Sequence, residues 1–284
     1  MDLSAQVGVR YSIENPYAYM DANLVGFLNI IELCRHNDVE GLIYASSSSV
    51  YGGNTKIPLS VEDRVDNPIS LYAATKKANE LIANTYSHLY KLHTTGLRYF
   101  TVYGPYGRPD MAMFLFTDKI LRGEPIQVFN HGNMKRDFTY IDDIITGTRS
   151  ASHNNYKCEV FNLGNHRSEN LMNVVHLIEE NLGKKARIEF NPMQAGDVYE
   201  SFADINKSTD MLEYKPTTNI AEGSGRNSNA ELRNFVNIAL DSLTKLETQI
   251  FLCKELSLVQ SVPKELSMVF LDTRNLFYEL LVIE

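Results

Sequence analysis

The sequence predicts an α/β protein: a parallel sheet with flanking helices, then a small α/β lobe, then a C-terminal α-helical hairpin. Three observations predict it. Helix and strand patterns alternate from residue 16 to residue 100, which is the order of parallel construction. Shorter strands and helices take over from Gly104. From about Asn219, apolar residues recur at helical spacing over many turns. The expected divisions are 1–103, 104–218 and 219–284.

The first helix spans Pro16 to Asn37. Proline suits a first helical turn, and Leu24, Phe27, Leu28, Ile31 and Leu33 follow at helical spacing. Gly41 then precedes Leu42-Ile43-Tyr44-Ala45-Ser46, a short apolar run of the kind buried in parallel sheets. The stretch with Gly52, Gly53, Pro58 and Pro68 reads as loop. Leu71 to Leu89 is the next helix, and Gly96 to Phe100 the next strand. In the second part, strands are expected at Ile126–Phe129, Arg136–Tyr140, Glu159–Leu163 and Ala186–Phe190. Helices are expected near Met111–Arg122, Asp142–Ser150 and Asn170–Leu182. In the third part, Ser228 and Glu231 form a capping box. Leu232, Phe235, Val236, Ala239 and Leu243 begin its apolar face, and Pro263 opens the second helix of the hairpin.

Composition narrows the function classes. Hydrophobic residues make up 44% and charged residues 22% of the 284, ordinary values for a globular protein. A net charge of -8 speaks against binding nucleic acid through bulk charge. Cys34, Cys158 and Cys253 lack metal-ligand spacing and read as reduced thiols of a cytoplasmic protein. The first ten residues do not form a signal peptide, and no run reaches the ~20 apolar residues of a membrane span. The seven histidines form no ligand spacing, and Asp142-Asp143 suits a helix N-terminus, so no metal is expected.

Two constellations carry chemistry. Tyr72 and Lys76 lie four apart and so share one helix face. An ammonium beside a phenol favours the phenolate, which makes a base usable near neutral pH. Ser46-Ser47-Ser48-Ser49-Val50-Tyr51-Gly52 follows a strand directly, and open α/β sheets bind ligands just beyond the carboxyl ends of their strands.

These residues resemble the extended short-chain dehydrogenase/reductase enzymes that epimerise nucleotide sugars, and among them look most like UDP-glucuronate 4-epimerases. The matching stretches are Ala5 to Ser12, Asn23 to Gly26, the serine-rich strand end, Tyr72 to Lys76, Leu97 to Ala112, Arg136 to Asp143, Phe161 to Gly164, and Gly196-Asp197-Val198. They cover residues 1 to about 218. The resemblance implies NAD as cofactor, a UDP-sugar as substrate, and a Rossmann-type sheet. Tyr72 would take the proton of the sugar 4-hydroxyl. Lys76 would lower the Tyr72 pKa and hold the nicotinamide ribose, and Ser47 would hydrogen-bond the reacting oxygen. Asn23, Ala45, Ser46 and Tyr99 match positions around the cofactor. Ser48, Ser49, Arg108, Arg136 and Asp197 match the substrate side, with Arg136 near the diphosphate and Arg108 suited to a sugar carboxylate. For Arg136 the alternative is a surface pair with Asp137 or Asp142, and for Arg108 it is loop anchoring. Related dehydratases and decarboxylases carry an acid within the motif before Val-Tyr-Gly. Here Ser47, Ser48 and Ser49 stand there, which favours epimerisation.

The resemblance also implies a glycine-rich pyrophosphate turn, followed ~20 positions later by an acid that binds the ribose. The sequence has neither, so the expected Rossmann-type sheet is incomplete and N-terminally truncated. Residues from 219 to about 258, specifically Ile220-Ala221-Glu222-Gly223 and the helix after them, resemble four-helix-bundle proteins associated with ribosomal RNA intervening sequences. Two further readings therefore stand beside the enzyme. One is an inactive chimeric fragment, and the other is an interaction module whose hairpin self-pairs in a homodimer.

Overall fold

The computed structural model describes residues 1–194 and 196–216. The hairpin expected over 219–284, its capping box and Cys253 lie outside the described residues.

The chain enters through an extended segment and two single helical turns, α1 (Tyr11–Glu14) and α2 (Pro16–Tyr19). The Asn15 side chain accepts from the Ala18 amide and caps α2, with Pro16 at its first position as expected. The helix then widens into a π-turn over Met20–Val25 and continues as α3 (Gly26–His36). Only one side of α3 is buried. Phe27 and Ile31 pack with Leu42, Tyr44, Ala83 and Leu92, whereas Leu28 and Leu33 face outward. Helical spacing brings Phe27 and Ile31 to the sheet, and Leu28 and Leu33 fall off that stripe.

Strand β1 (Gly41–Ser47) runs into a 3₁₀ turn at Ser48–Tyr51, and the long helix α4 (Leu71–Tyr90) follows after the loop. Ser70 caps α4 by accepting from the Ala73 amide. β2 (His93–Tyr99) returns parallel to β1, with Ala45 opposite Leu97 and Ser47 opposite Tyr99. After β3 (Thr101–Tyr103) come α5 (Ala112–Arg122), β4 (Pro125–Phe129), β5 (Lys135–Arg136), β6 (Phe138–Tyr140), α6 (Ile141–His153), β7 (Cys158–Leu163), β8 (Glu169–Asn170), α7 (Leu171–Leu182), β9 (Arg187–Asn191), β10 (Glu200–Ser201) and α8 (Asn206–Leu212).

The main sheet is parallel and three-stranded, in the order β1-β2-β7. The other edge of β1 is bridged by Asp2, whose amide donates to the Ile43 carbonyl (2.7 Å) and whose carbonyl accepts from the Ala45 amide (3.0 Å). Helices α3 and α4 cover one face. On the other face Leu97, Phe161 and Leu163 pack against Ile144 and Ala151 of α6 and against Leu212 and Tyr214. The strand β7 lies within the stretch 104–218 read as a second lobe, yet it pairs with β2 and belongs to the main sheet. Its side chains explain why, since Phe161 and Leu163 are fully buried between α6 and α8.

The smaller lobe is built on the parallel pair β4–β9 with α5 and α7 against it. Tyr103, Phe138 and Tyr140 from the β3–β6 pair complete its core. Residues 1–221 cluster as one compact unit, so sheet and lobe share a continuous body. Among the described residues no helix is long and apolar enough to cross a membrane.

Candidate active site

The carboxyl end of β1 and the first turns of α4 build the site. Strand and helix meet in a fixed register. Lys76 donates from Nζ to the Ala45 carbonyl (2.8 Å), Ser46 donates from Oγ to Glu80 Oε1 (2.7 Å), and Ser47 hydrogen-bonds Tyr72. Tyr72, Lys76 and Glu80 stand at i, i+4 and i+8, so one helical stripe addresses three consecutive strand residues. Ser47 also caps the 3₁₀ turn, where its Oγ accepts from the Ser49 amide (3.2 Å) and lies 3.2 Å from the Ser49 hydroxyl.

Tyr72 and Lys76 both line a largely apolar cavity of about 870 Å³, together with Ala45, Ser46, Ser47, Tyr99 and Arg108. A second cleft of about 140 Å³ adjoins it and holds Arg136 and Asp197; Val9, Ser48, Ser49 and Thr101 line both. Of the expected site residues, only Asn23 lies off both cavities. Its Oδ1 accepts from the Gln6 amide (2.7 Å), and its Nδ2 donates to the Gln6 carbonyl (3.0 Å) and Thr75 Oγ1 (3.1 Å). Those bonds occupy both of its N–H donors and tie the entering segment to α4.

The electrostatics differ from expectation at one point. Burial pushes the Tyr72 phenol above its ordinary pKa, while the Ser47 hydrogen bond and the Arg108 charge pull it back. The charge of Arg108 acts on the Tyr72 phenol and favours its ionised form. Lys76 turns its ammonium to the Ala45 carbonyl, and burial lowers its pKa to about 8, opposed by the Asp2 carboxylate. Desolvation dominates both groups, as it does for titratable side chains inside a low-dielectric wall. Arg108 is itself held by Asp110, with Nε to Oδ1 at 3.0 Å. Tyr99 shares a hydrogen bond with Thr148 (3.1 Å).

Arg136 does not pair with Asp137. The Asp137 carboxylate is fully buried and accepts from Thr139 Oγ1 (2.9 Å), the Asn165 amide (2.6 Å) and the Ala203 amide (3.0 Å). Arg136 instead donates from Nη1 to the Lys135 carbonyl (2.8 Å) and the Tyr199 carbonyl (3.2 Å), and feels the charge of Asp197. Its guanidinium keeps donors for an anion in the cleft. Asp197 lies 3.8 Å from Arg10, whose guanidinium sits over the Phe129 ring (4.5 Å). Thr101 lines both cavities without having been singled out from the sequence, and its place inside the motif stretch Leu97–Ala112 is the signal that could have found it.

A half-buried tyrosine with a buried lysine one helical turn on, a serine turn at the end of a parallel strand and an arginine-lined cleft together define the dehydrogenase/reductase class of sugar-nucleotide enzymes. Residues 1–164 match the NAD dependent epimerase/dehydratase family. The chain belongs to that family. Residues 217–268 match the 23S rRNA-intervening sequence protein. Protein CapI of Staphylococcus aureus is 52% identical over 243 residues, which is 78% of this chain and 72% of that protein. A probable UDP-glucuronate 4-epimerase of Rhizobium meliloti is 45% identical over 243 residues, 79% of this chain and 71% of the relative. The crystal structure of UDP-glucuronic acid 4-epimerase from Bacillus cereus, in complex with UDP-glucuronic acid and NAD, superposes with a TM-score of 0.74 at 34% identity, covering 78% of this chain and 71% of that one.

The residues at the Tyr72 end fit the nicotinamide ribose of NAD. Lys76 has three donors and spends one on Ala45, and the cavity has the size and apolar lining of a cofactor site.

Proposed function

We propose that this chain carries out NAD-dependent epimerisation of a UDP-sugar at C4, converting UDP-glucuronate to UDP-galacturonate. The observation that carries the reading is the convergence of Tyr72, Ser47 and Arg108 on one cavity, with Lys76 behind them. When bound, NAD supplies a hydride acceptor and donor. The chain's own residues do the rest. Tyr72 takes the proton of the sugar 4-hydroxyl and returns it, and Ser47 hydrogen-bonds the same oxygen. Lys76 offers its remaining donors to the ribose, beside Ala45, Ser46 and Tyr99. Arg108 faces a uronate carboxylate, and Arg136 with Asp197 and the hydroxyls of Ser48 and Ser49 lines the sugar-nucleotide cleft. A phenol is protonated at neutral pH and burial raises the Tyr72 value further, while the Ser47 bond and the Arg108 charge pull it back toward use as a base.

In domain terms, residues 1–103 hold the cofactor and catalytic motif and 104–218 mainly the substrate. Unpaired thiols at Cys34 and Cys158 support a cytoplasmic setting. The test is direct. The purified chain is incubated with NAD and UDP-glucuronate, and the products are separated by anion-exchange chromatography. UDP-galacturonate should form, and Tyr72→Phe should reduce the rate by about 10²–10⁴-fold with an unchanged melting temperature. No product from the wild type, at NAD concentrations shown by calorimetry to saturate or to fail, sinks the assignment and leaves the inactive-fragment reading.

A second reading rests on the match of residues 217–268. There the C-terminal segment is an interaction module that self-pairs in a homodimer. Sedimentation of the whole chain as a monomer at micromolar concentration rules it out.

A further inference from the structure

Behind the site lies a buried ionic cluster that the reaction does not itself use. Arg98, on β2, donates from Nε to Glu80 Oε1 (2.8 Å) and from Nη2 to Glu80 Oε2 (2.9 Å), a bidentate pair with both side chains 4% exposed. Glu80 Oε1 also accepts from the Ser46 hydroxyl, and Oε2 takes Lys77 Nζ at 3.2 Å. The Arg98 guanidinium sits over the Tyr51 ring (4.9 Å), and the Tyr51 hydroxyl donates to Asn162 Oδ1 (2.7 Å). One carboxylate thus ties α4 to β1 and, through Arg98, to β2.

A buried ion pair is weak evidence for stability, because desolvating two charges offsets most of their attraction. Its attested use is to fix one register among alternatives. Here the register in question is that of α4 against the end of β1. Ser46 stands between Ala45, which accepts from Lys76, and Ser47, which bonds Tyr72. A slip of one residue along a strand turns every side chain to the opposite face.

We propose that Glu80, clamped by Arg98, is a positioning residue that holds the Ser46 hydroxyl and thereby sets the Ala45 carbonyl on Lys76 and the Ser47 hydroxyl on Tyr72. The inference rests on the reading of those residues as the working groups, but its test needs no turnover. Replacing Glu80 would strand a buried guanidinium, so the substitution belongs at Ser46, where only one hydrogen bond is removed. The measurement is an NMR titration of the whole chain labelled with ¹³Cε-lysine, the Lys76 resonance being assigned by its loss in Lys76→Met. Among the described residues Asp2 is the charged group that acts on Lys76, and every variant retains it.

Wild type should titrate near 8. In Ser46→Ala the strand end loosens, water reaches the ammonium, and the midpoint should rise by about one unit toward the ordinary lysine value. Ser46→Thr keeps the hydroxyl and should restore the wild-type midpoint. Lys77→Ala, which removes only the outer partner of Glu80, should leave it in place. Thermal melts of the variants confirm that they fold. The proposal is overturned if Ser46→Ala titrates with the wild type, if Ser46→Thr fails to restore the midpoint, or if Lys77→Ala shifts it as far. Failure here with turnover intact would remove the positioning role alone. A correct titration without turnover would remove the sugar assignment alone.

Discussion

At the residue scale, the site's pH behaviour is set by which cation faces which phenol. Lys76 at four residues from Tyr72 reads as the cation that acidifies it, and the helix does place the two on one face. Sharing a face does not fix where a flexible four-carbon stem ends. The Ala45 carbonyl captures the ammonium at 2.8 Å, and Arg108, 36 positions further on, adds its own charge on Tyr72. No local spacing carries that information, because Arg108 reaches the site on a loop after β3. A prediction follows for Arg108→Ala. The Tyr72 pKa is raised by burial and lowered by Arg108, so removing Arg108 moves it further up. The acidic limb of kcat/KM, which reports the free enzyme, should then shift to higher pH. The same variant should weaken UDP-glucuronate by about tenfold or more, as loss of a charge-assisted pair does, and UDP-glucose much less. Equal losses for the two sugars, or an unmoved limb, would show that Arg108 only anchors its loop to Asp110.

At the scale of elements, periodicity located the helices and strands well because each buries one clear stripe. Phe27 and Ile31 mark the inner face of α3, and Leu42 and Tyr44 alternate along β1 as a strand requires. What periodicity does not carry is which sheet a strand joins. Residues 159–163 read as a strand of the smaller lobe, and they become the third strand of the main sheet because of long-range packing by α6 and α8. That packing depends on Gly147, at the centre of α6. A Cβ added there would lie 2.7 Å from the Tyr214 ring and 2.8 Å from Leu163 Cδ2, closer than any ordinary contact. Glycine inside a helix normally costs about 0.5–1 kcal/mol relative to alanine. Here the balance reverses. Gly147→Ala gains helix propensity but overpacks a rigid interior, which costs about 1–3 kcal/mol. The variant should show a lower urea midpoint with an unchanged m-value, measured by circular dichroism. A rise in the midpoint would mean that α6 can shift off the sheet at no cost.

At the scale of the whole molecule, one buried carboxylate ties distant segments of the chain together. Asp137 sits between β5 and β6, accepts the Asn165 amide from the turn after β7, and accepts the Ala203 amide from the segment between β10 and α8. Burial raises its pKa even though these donors lower it. An acid whose folded pKa lies above its unfolded value binds more protons when folded. Its contribution to stability is therefore full at low pH and declines as pH rises from the ordinary carboxylate value of 3.8 through the folded value. Asparagine is the same size but presents one acceptor in place of two. With Oδ1 on the Asn165 amide, its NH₂ group meets the Ala203 N–H, and two donors face each other. An unsatisfied buried donor costs about 1–3 kcal/mol. If Asp137 merely decorated one loop, Asp137→Asn would loosen that loop locally. If it couples sheet and lobe, protection must fall together in β1–β2 and in β4–β9, which share no direct strand pairing. Native-state hydrogen exchange by mass spectrometry separates the cases, since peptides from both sheets are read in one experiment. Equal losses of opening free energy in both sheets are expected, because residues 1–221 form one compact unit. A loss confined to β4–β9 would mean that the lobe unfolds on its own, and that the cleft between Arg136 and the serine turn is held by other contacts.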